Sequence, residues 1–305
     1  MTDGNRRAIL AALLANLGIA IAKFLAFLAT GAASMLAESV HSAADTGNQL
    51  LLILGGVRSR REPTPEHPFG YGRERYFWAF VVAMVLFSLG SLFAISQGID
   101  KLRHPHSLTS PGWAVGVLLV GLVLEGGSLR IAVREASRLR TGESWWDFVR
   151  HAKSPELPVV LLEDLGALIG LLIALCGVSL AFALDDPRFD AVGSIAIGVL
   201  LGAIAVVLAI EMKSLLIGES ASPHIRRQIL DAIEAAPQVR RLLHLRTLHL
   251  GPDELLVGAK IELEPALDFR AVAGAIDAVE QCIRDRVPAA RVIYIEPDIE
   301  RTPTK

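Results

Sequence analysis

Glu38, His41 and Asp45 stand three and four residues apart in the stretch Ser34–Asp45, and Asn48 continues the series. A helix of about 3.6 residues per turn brings such spacings onto one face. His41 and Asp45, one turn apart, can therefore reach one ion. A second pair of acids, Glu163 and Asp164, stands in another apolar stretch. Adjacent helical residues point about 100° apart, so at most one of these two faces any single point squarely. An imidazole with carboxylates and no thiolates suits a divalent first-row metal, zinc foremost. The imidazole titrates near neutral pH, and ligands must lose protons before they hold metal. Metal and protons would compete for such a site, which is a basis for exchanging one for the other.

These residues must be positioned by elements that read as membrane spans. A helix needs about 20 mostly apolar residues to cross the hydrocarbon of a bilayer. Six stretches qualify, at about 8–30, 32–56, 77–98, 113–133, 157–184 and 190–217, the second being unusually polar. An acid at the centre of a span costs roughly 2.5–3.5 kcal/mol, so Glu38, Asp45, Glu163 and Asp164 left unpaired would cost on the order of 10 kcal/mol. Apart from Lys23 the spans offer few cations. A bound cation, protons or a water-filled cavity must offset the acids, since packing alone is served by Ser, Thr and Gly. Asn16, Lys23 and Gln49 read as contacts between helices, and Glu125 with Arg130 as a pair or a cavity lining. Asp190, at the start of the sixth span, reads as the cap of its own helix or a guard of the outer mouth. Gly166 and Gly170 are spaced for close approach to the second span. Trp145 and Trp146 fit an interfacial belt.

The composition agrees with this reading. Of 305 residues, 52% are hydrophobic and 20% charged, and the mean hydropathy is +0.46. That excludes disorder and a coiled coil. The 30 basic residues face 32 acidic ones, which excludes a nucleic-acid binder built on net charge. Two cysteines, Cys176 and Cys282, cannot make a disulfide framework or a cysteine-rich zinc site. No Gly-x-x-x-x-Gly-Lys-Ser/Thr loop is present, so an ion gradient must supply the energy. No covalent chemistry is implied: the expected protein is not an enzyme and needs no cofactor beyond the ion it carries. Twelve Lys and Arg residues flank one side of the spans and three the other. That bias places both termini on the cytoplasmic side of a multi-pass protein. Beyond Gly218 the chain turns polar. Helices at 223–236 and 268–287 and strands at 241–250, 254–264 and 291–296 give the order αββαβ, helices on one face of a short antiparallel sheet. The expected organisation is a six-helix transmembrane transport domain, 1–218, followed by a small cytoplasmic α+β domain, 219–305.

The run His41-Ser42-Ala43-Ala44-Asp45 and the loop His67-Pro68-Phe69-Gly70-Tyr71-Gly72-Arg73, with six spans, inside termini and the αββαβ domain, make a chain that resembles the cation diffusion facilitator family of divalent-metal/proton antiporters. The resemblance runs from about Ala8 to Asp298. It implies a tetrahedral transport site with His41 and Asp45 from the second span and Asp164 from the fifth. The fourth position of that pattern is Val160 here, so Glu163, Glu38 or water must complete the set. A branch with Glu-Asp at this place, which includes a mitochondrial zinc exporter, is similar here and in Leu248–Asp253. The oxygen-rich set also suits Mn²⁺, Fe²⁺ or Co²⁺. The resemblance further implies a metallochaperone-like, dimerising cytoplasmic domain. A loop metal site that some members build is weak or absent here, since only His67 is kept, with Glu66 nearby and Tyr71 and Thr64 at the other positions. His249 and Glu296 are minor metal candidates in the cytoplasmic domain. The implied partners are divalent metal and protons, membrane lipid and a second copy of the chain, with no nucleic acid. The implied activity is zinc efflux from the cytoplasm across the plasma (inner) membrane. The alternatives are transport of another divalent metal, a membrane-anchored metal sensor or scaffold that moves nothing, and export of an organic cation.

Overall fold

The computed structural model describes residues 3–105, 111–140 and 144–299. They form two compact units. The first comprises the chain up to Gly56 together with Phe77–Met212, and the second Val57–Tyr76 together with Lys213 onward.

The first unit is helical: α1 (Asp3–Thr30), α2 (Ala33–Arg58), α3 (Glu74–Val81), α4 (Ser88–Arg103), α5 (Pro111–Leu139), α6 (Trp145–His151), α7 (Glu156–Ala183) and α8 (Arg188–Ile217). A π-helical turn, Val82–Phe87, joins α3 and α4 into one span. The six expected spans are thus α1, α2, α3 with α4, α5, α7 and α8. Among the described residues, Glu74–Arg103, Gly112–Arg138, Glu156–Ala183 and Arg188–Ile217 are long and apolar enough to cross a membrane. The described apolar part of α1 is Leu17–Thr30. α2 is the exception in composition, because its buried face carries Glu38, His41, Asp45 and Asn48. Large apolar side chains point outward instead, among them Leu28, Leu92, Val123 and Phe182. In water so much exposed apolar surface would drive association; hydrocarbon matches it.

Small residues set how closely the helices approach. Gly98 of α4 and Gly198 of α8 cross reciprocally. A Cβ on Gly98 would lie 2.6 Å from Ile195 and 2.7 Å from the Ala191 carbonyl, and one on Gly198 would lie 2.6 Å from Ile95 and 2.8 Å from the Ser91 carbonyl. Ser91 Oγ donates to the Gly198 carbonyl at 2.7 Å, and Ser194 Oγ to the Ala94 carbonyl at 2.9 Å. Of the two glycines expected to meet the second span, Gly170 faces Glu38 of α2, whereas Gly166 faces Ile204 of α8. α6 is N-capped by Ser144, which accepts from Asp147 N at 3.0 Å. Trp145 and Trp146 are 39% and 54% exposed there.

The second unit has the expected order: α9 (Pro223–Glu234), β1 (Val239–Gly251), β2 (Glu254–Leu263), α10 (Phe269–Arg286) and β3 (Ala290–Pro297). Ser222 and Asp268 cap the two helices, accepting from Ile225 N at 3.3 Å and Ala271 N at 2.8 Å. The sheet order is β1-β2-β3. β1 and β2 are antiparallel across the turn at Pro252-Asp253, but β2 and β3 are parallel. The sheet is therefore mixed, not antiparallel as expected. α10 carries the chain back along the sheet, so β3 must start from the same end as β2. The helices cover one face with a core that includes Ile229, Ile233, Val257, Ile261, Val279 and Ile283. The segment before α3 packs on the β1–β2 turn by backbone contact: a Cβ on Gly72 would meet the Leu250 carbonyl at 2.7 Å. Arg75 and Asp253 pair at 3.0 Å beside it.

The glycine crossing has a measurable consequence. Gly198→Leu forces a side chain into the α4 backbone and should cost about 1–3 kcal/mol, as overpacking does in tight interiors. Thermal unfolding of the purified protein should show a lowered transition, while the same change at Gly116, with open space at its Cβ position, should leave it in place.

Candidate functional site

The site depends on where α2 begins. α1 ends at Thr30, and Gly31 turns the chain at φ +67°. A helix start leaves backbone N–H groups without partners. Here Asp190 of α8 supplies them: its carboxylate accepts from Ala33 N at 2.8 Å, from Ser34 N at 3.3 Å, and from the Ser34 hydroxyl. Lys101 Nζ donates to the same carboxylate at 2.8 Å and to the Gly31 carbonyl at 2.9 Å. Asp190 is fully buried. The sequence places it at the start of its own helix, but the helix it caps is α2. This network anchors the start of α2 to α4 and α8.

Down α2 the polar stripe is buried as the spacing requires. His41 Nδ1 lies 3.4 Å from Asp45 Oδ1. Glu38 Oε2 accepts from Lys23 Nζ of α1 at 3.2 Å, and Ser42 Oγ accepts from the same ammonium at 2.7 Å. Asn48 Nδ2 reaches Glu163 Oε1 of α7 at 3.5 Å. The two adjacent acids of α7 diverge. Glu163 turns toward α2, while Asp164 accepts from Ser128 Oγ of α5 at 2.9 Å. Val160, one turn before Asp164, packs into an apolar cluster with Ala132, Ala136 and Phe148.

A small cavity of about 10 Å³, room for roughly one water-sized atom, is lined by Ile19, Ser42, Asp45, Glu125, Glu163 and Asp164. Of the principal candidates, Asp45, Glu163 and Asp164 thus share one cavity wall, His41 adjoins Asp45, and Glu38 stands one turn away on Lys23. Among the described residues, no three His, Cys, Asp or Glu side chains already converge on one metal position. Spare acceptors are present: Glu38 Oε1, Asn48 Oδ1 and Glu163 Oε2 are buried without a hydrogen-bond donor among the described residues. Buried acceptors of this kind are rare in folded chains and are what a cation or proton would satisfy.

Lys23, expected as a contact between helices, is one: it joins α1 to Glu38 and Ser42 of α2 and faces Glu125 of α5. Glu125 lines the cavity, one of its two expected roles, but its ionic neighbour is Lys23 of α1 at 3.9 Å and not nearby Arg130. Ser128, which holds Asp164, is the residue that escapes the sequence. Its spacing from Glu125, i to i+3 on one helical face, is the signal that could have found it.

The minor candidates do not assemble. His67 and Glu66 are exposed in the segment before α3, with the His67 ring edge-on to Tyr71 at 4.7 Å. His249 is buried on β1 and paired in register with Leu255, while Glu296 on β3 is paired with Lys260. Five residues of β2 separate those levels, about 16 Å at 3.3 Å per residue. Glu296 and Asp298 also accept from Lys260 Nζ at 2.8 and 3.2 Å. The Glu296 bond first, then that of Asp298, holds the lysine above its usual range. An ammonium so placed opposes a metal at Glu296.

The cation efflux transmembrane domain matches residues 9–217. Among known proteins, the chain is 34% identical over 245 residues to "Proton-coupled zinc antiporter SLC30A9, mitochondrial" of Xenopus laevis, covering 79% of this chain and 44% of that protein. It is 30% identical to "Metal tolerance protein C4" of Arabidopsis thaliana, covering 85% and 57%. It is 28% identical to "Cation-efflux pump FieF" of Serratia proteamaculans, covering 89% and 85%. The chain therefore spans about half the length of the first two relatives. A further similarity covers 26% of this chain and the whole of a MamM C-terminal domain, at 18% identity and a TM-score of 0.25.

The cap network predicts its own weakness. Asp190→Ala leaves the Lys101 ammonium and the start of α2 without their partner. Breaking a buried pair in this way costs about 3–5 kcal/mol, and the thermal transition should fall accordingly. A transition unmoved by this change would show that α2 is held elsewhere.

Proposed function

The chain belongs to the cation efflux family, and from that premise we propose that it is a divalent-metal/proton antiporter carrying zinc out of the cytoplasm. The observation that carries the reading is the small cavity walled by Asp45 of α2, Glu125 of α5, and Glu163 and Asp164 of α7, with His41 beside Asp45. Three helices contribute acids to one space inside a membrane unit. Alternating access needs such a site near the middle of the bundle. A metal entering from the cytoplasmic side would be held by His41, Asp45 and Asp164, with Glu163 completing the set. Val160 lies among apolar side chains and offers nothing to the ion. Protons arriving from the far side would occupy the same nitrogen and oxygens and release the metal, because both cargoes need the same lone pairs.

Zinc is the cargo we propose, since a His with carboxylates suits it and a relative at 34% identity carries zinc in its name. The oxygen-rich wall makes Mn²⁺, Fe²⁺ and Co²⁺ the competitors to measure. The host is a membrane that bears a proton gradient, the plasma (inner) membrane first, and both termini lie on its cytoplasmic side or the equivalent. The C-terminal unit serves to join two copies.

The test is zinc entry into proteoliposomes holding a trapped zinc-sensitive dye, driven by an imposed pH gradient. Entry should collapse with the gradient and in Asp45→Ala or Asp164→Ala, both of which should remain folded. Unchanged flux in Asp45→Ala would remove this site from the pathway, and zinc binding without flux would point to the sensor reading. Zinc affinity should weaken as the pH falls, by about tenfold per unit for each proton that the metal displaces. Val160→His adds an imidazole one turn from Asp164 and should raise the flux of zinc relative to manganese; an unaltered ratio would place Val160 outside the ion's reach.

A further inference from the structure

Metal binding by His41 and the acids leaves Lys23 without a task, yet its placement is costly. It is 1% exposed inside the membrane unit, where an ammonium must be neutralised on the spot. Its Nζ donates to Glu38 Oε2 at 3.2 Å and Ser42 Oγ at 2.7 Å, and lies 3.9 Å from Glu125 Oε1. Ser42 and Glu125 are also walls of the cavity that Asp45, Glu163 and Asp164 line. The ammonium stands at the edge of the space a transported ion would enter, on a flexible four-carbon stem.

Glu38 is held from both sides. One oxygen is on Lys23. The other, Oε1, reaches toward Gly170 of α7, where a Cβ would lie 2.5 Å away, and it has no hydrogen-bond donor among the described residues. Glu38 is one turn before Ser42 on the same face of α2. A carboxylate with a spare oxygen thus sits one turn from Ser42 of the cavity wall, its other oxygen on an internal cation.

We propose that Lys23 is a tethered cation that competes with the transported metal for these carboxylates, keeping Glu38 out of the ligand set and limiting how tightly a divalent ion is held. A carrier must release what it binds, and a fixed positive charge beside the site loosens the hold on a divalent ion. The competition is reciprocal: a metal that weakens the grip of the acids on Lys23 is itself weakened by Lys23 to the same degree. Lys23 is a positioning residue here, touching the acids and not the cargo. The proposal rests on the transport reading.

The experiment measures zinc affinity by titration, and flux in proteoliposomes, for the full chain and for Lys23→Met, Glu38→Gln and the double variant. Lys23→Met should bind zinc about tenfold more tightly, within the usual range of coupling between two ligands of one protein, and turn over more slowly, so that KM and kcat fall together. A lysine that merely held helices together would lower flux without tightening binding. Glu38→Gln leaves the ammonium facing the remaining acids and should weaken binding by about tenfold. The double variant should return to within about threefold of the wild type. Unchanged or weaker zinc affinity in folded Lys23→Met overturns the proposal. If Lys23→Met does not fold, weakening in Glu38→Gln that the double variant reverses supports it, and the lack of either overturns it. A wild type that binds zinc but moves none fails the transport reading while the affinity cycle still decides the role of Lys23; one that binds no zinc overturns both.

Discussion

Seven ionisable side chains from four helices share one interior inside a unit whose outside is hydrocarbon-like: Lys23, Glu38, His41, Asp45, Glu125, Glu163 and Asp164. Charge there is expensive, at roughly 2.5–3.5 kcal/mol for an acid at the centre of a span. Five of the seven are acids, and one ammonium cannot neutralise them. The remainder must be met by protons, by a metal, or by both in turn. That imbalance is the constraint around which the molecule is arranged. It explains why α2 is too polar to resemble its neighbours and why the cavity holds about one small atom. A larger, wetter space would screen the acids and weaken their demand for a cation.

Keeping such a set in place requires stiffness elsewhere. The start of α2 is clamped by Asp190 and Lys101, two charges that satisfy each other and four backbone or hydroxyl groups besides. Their hydrogen bonds offset the cost of burying them, which a bare ion pair would not do. α4 and α8 meet through Gly98 and Gly198 with backbone nearly on backbone. Among the acids, Asp164 is held by Ser128 at 2.9 Å and Glu38 by Lys23 at 3.2 Å, while longer contacts, 3.4 Å between His41 and Asp45 and 3.5 Å between Asn48 and Glu163, join the others.

The second unit obeys ordinary aqueous rules. Its core is aliphatic, its helices are capped by Ser222 and Asp268, and its charges pair at the surface. It also takes in the segment Val57–Tyr76, tied by Gly72 against Leu250 and by Arg75 to Asp253. A stretch that precedes the third span in sequence is therefore part of the same folded body as the C-terminal sheet.

Local pattern alone determined much of this protein. Hydropathy is a sum over neighbours, so the spans can be read from the chain directly. The stripe of Glu38, His41 and Asp45 follows from helical period, and αββαβ from the change between periods of 3.6 and 2. Family membership followed from two short motifs set in that frame. Pairing across the chain was not legible, because partners distant in sequence leave no local trace. Only the tertiary structure decided that Asp190 caps α2, that Glu125 faces Lys23, that Glu163 and Asp164 turn to different helices, that β3 runs parallel to β2, and that His249 and Glu296 stand at different levels of the sheet. The chain could say that buried acids need a cation; which residue already supplies one depended on where α1 lies against α2.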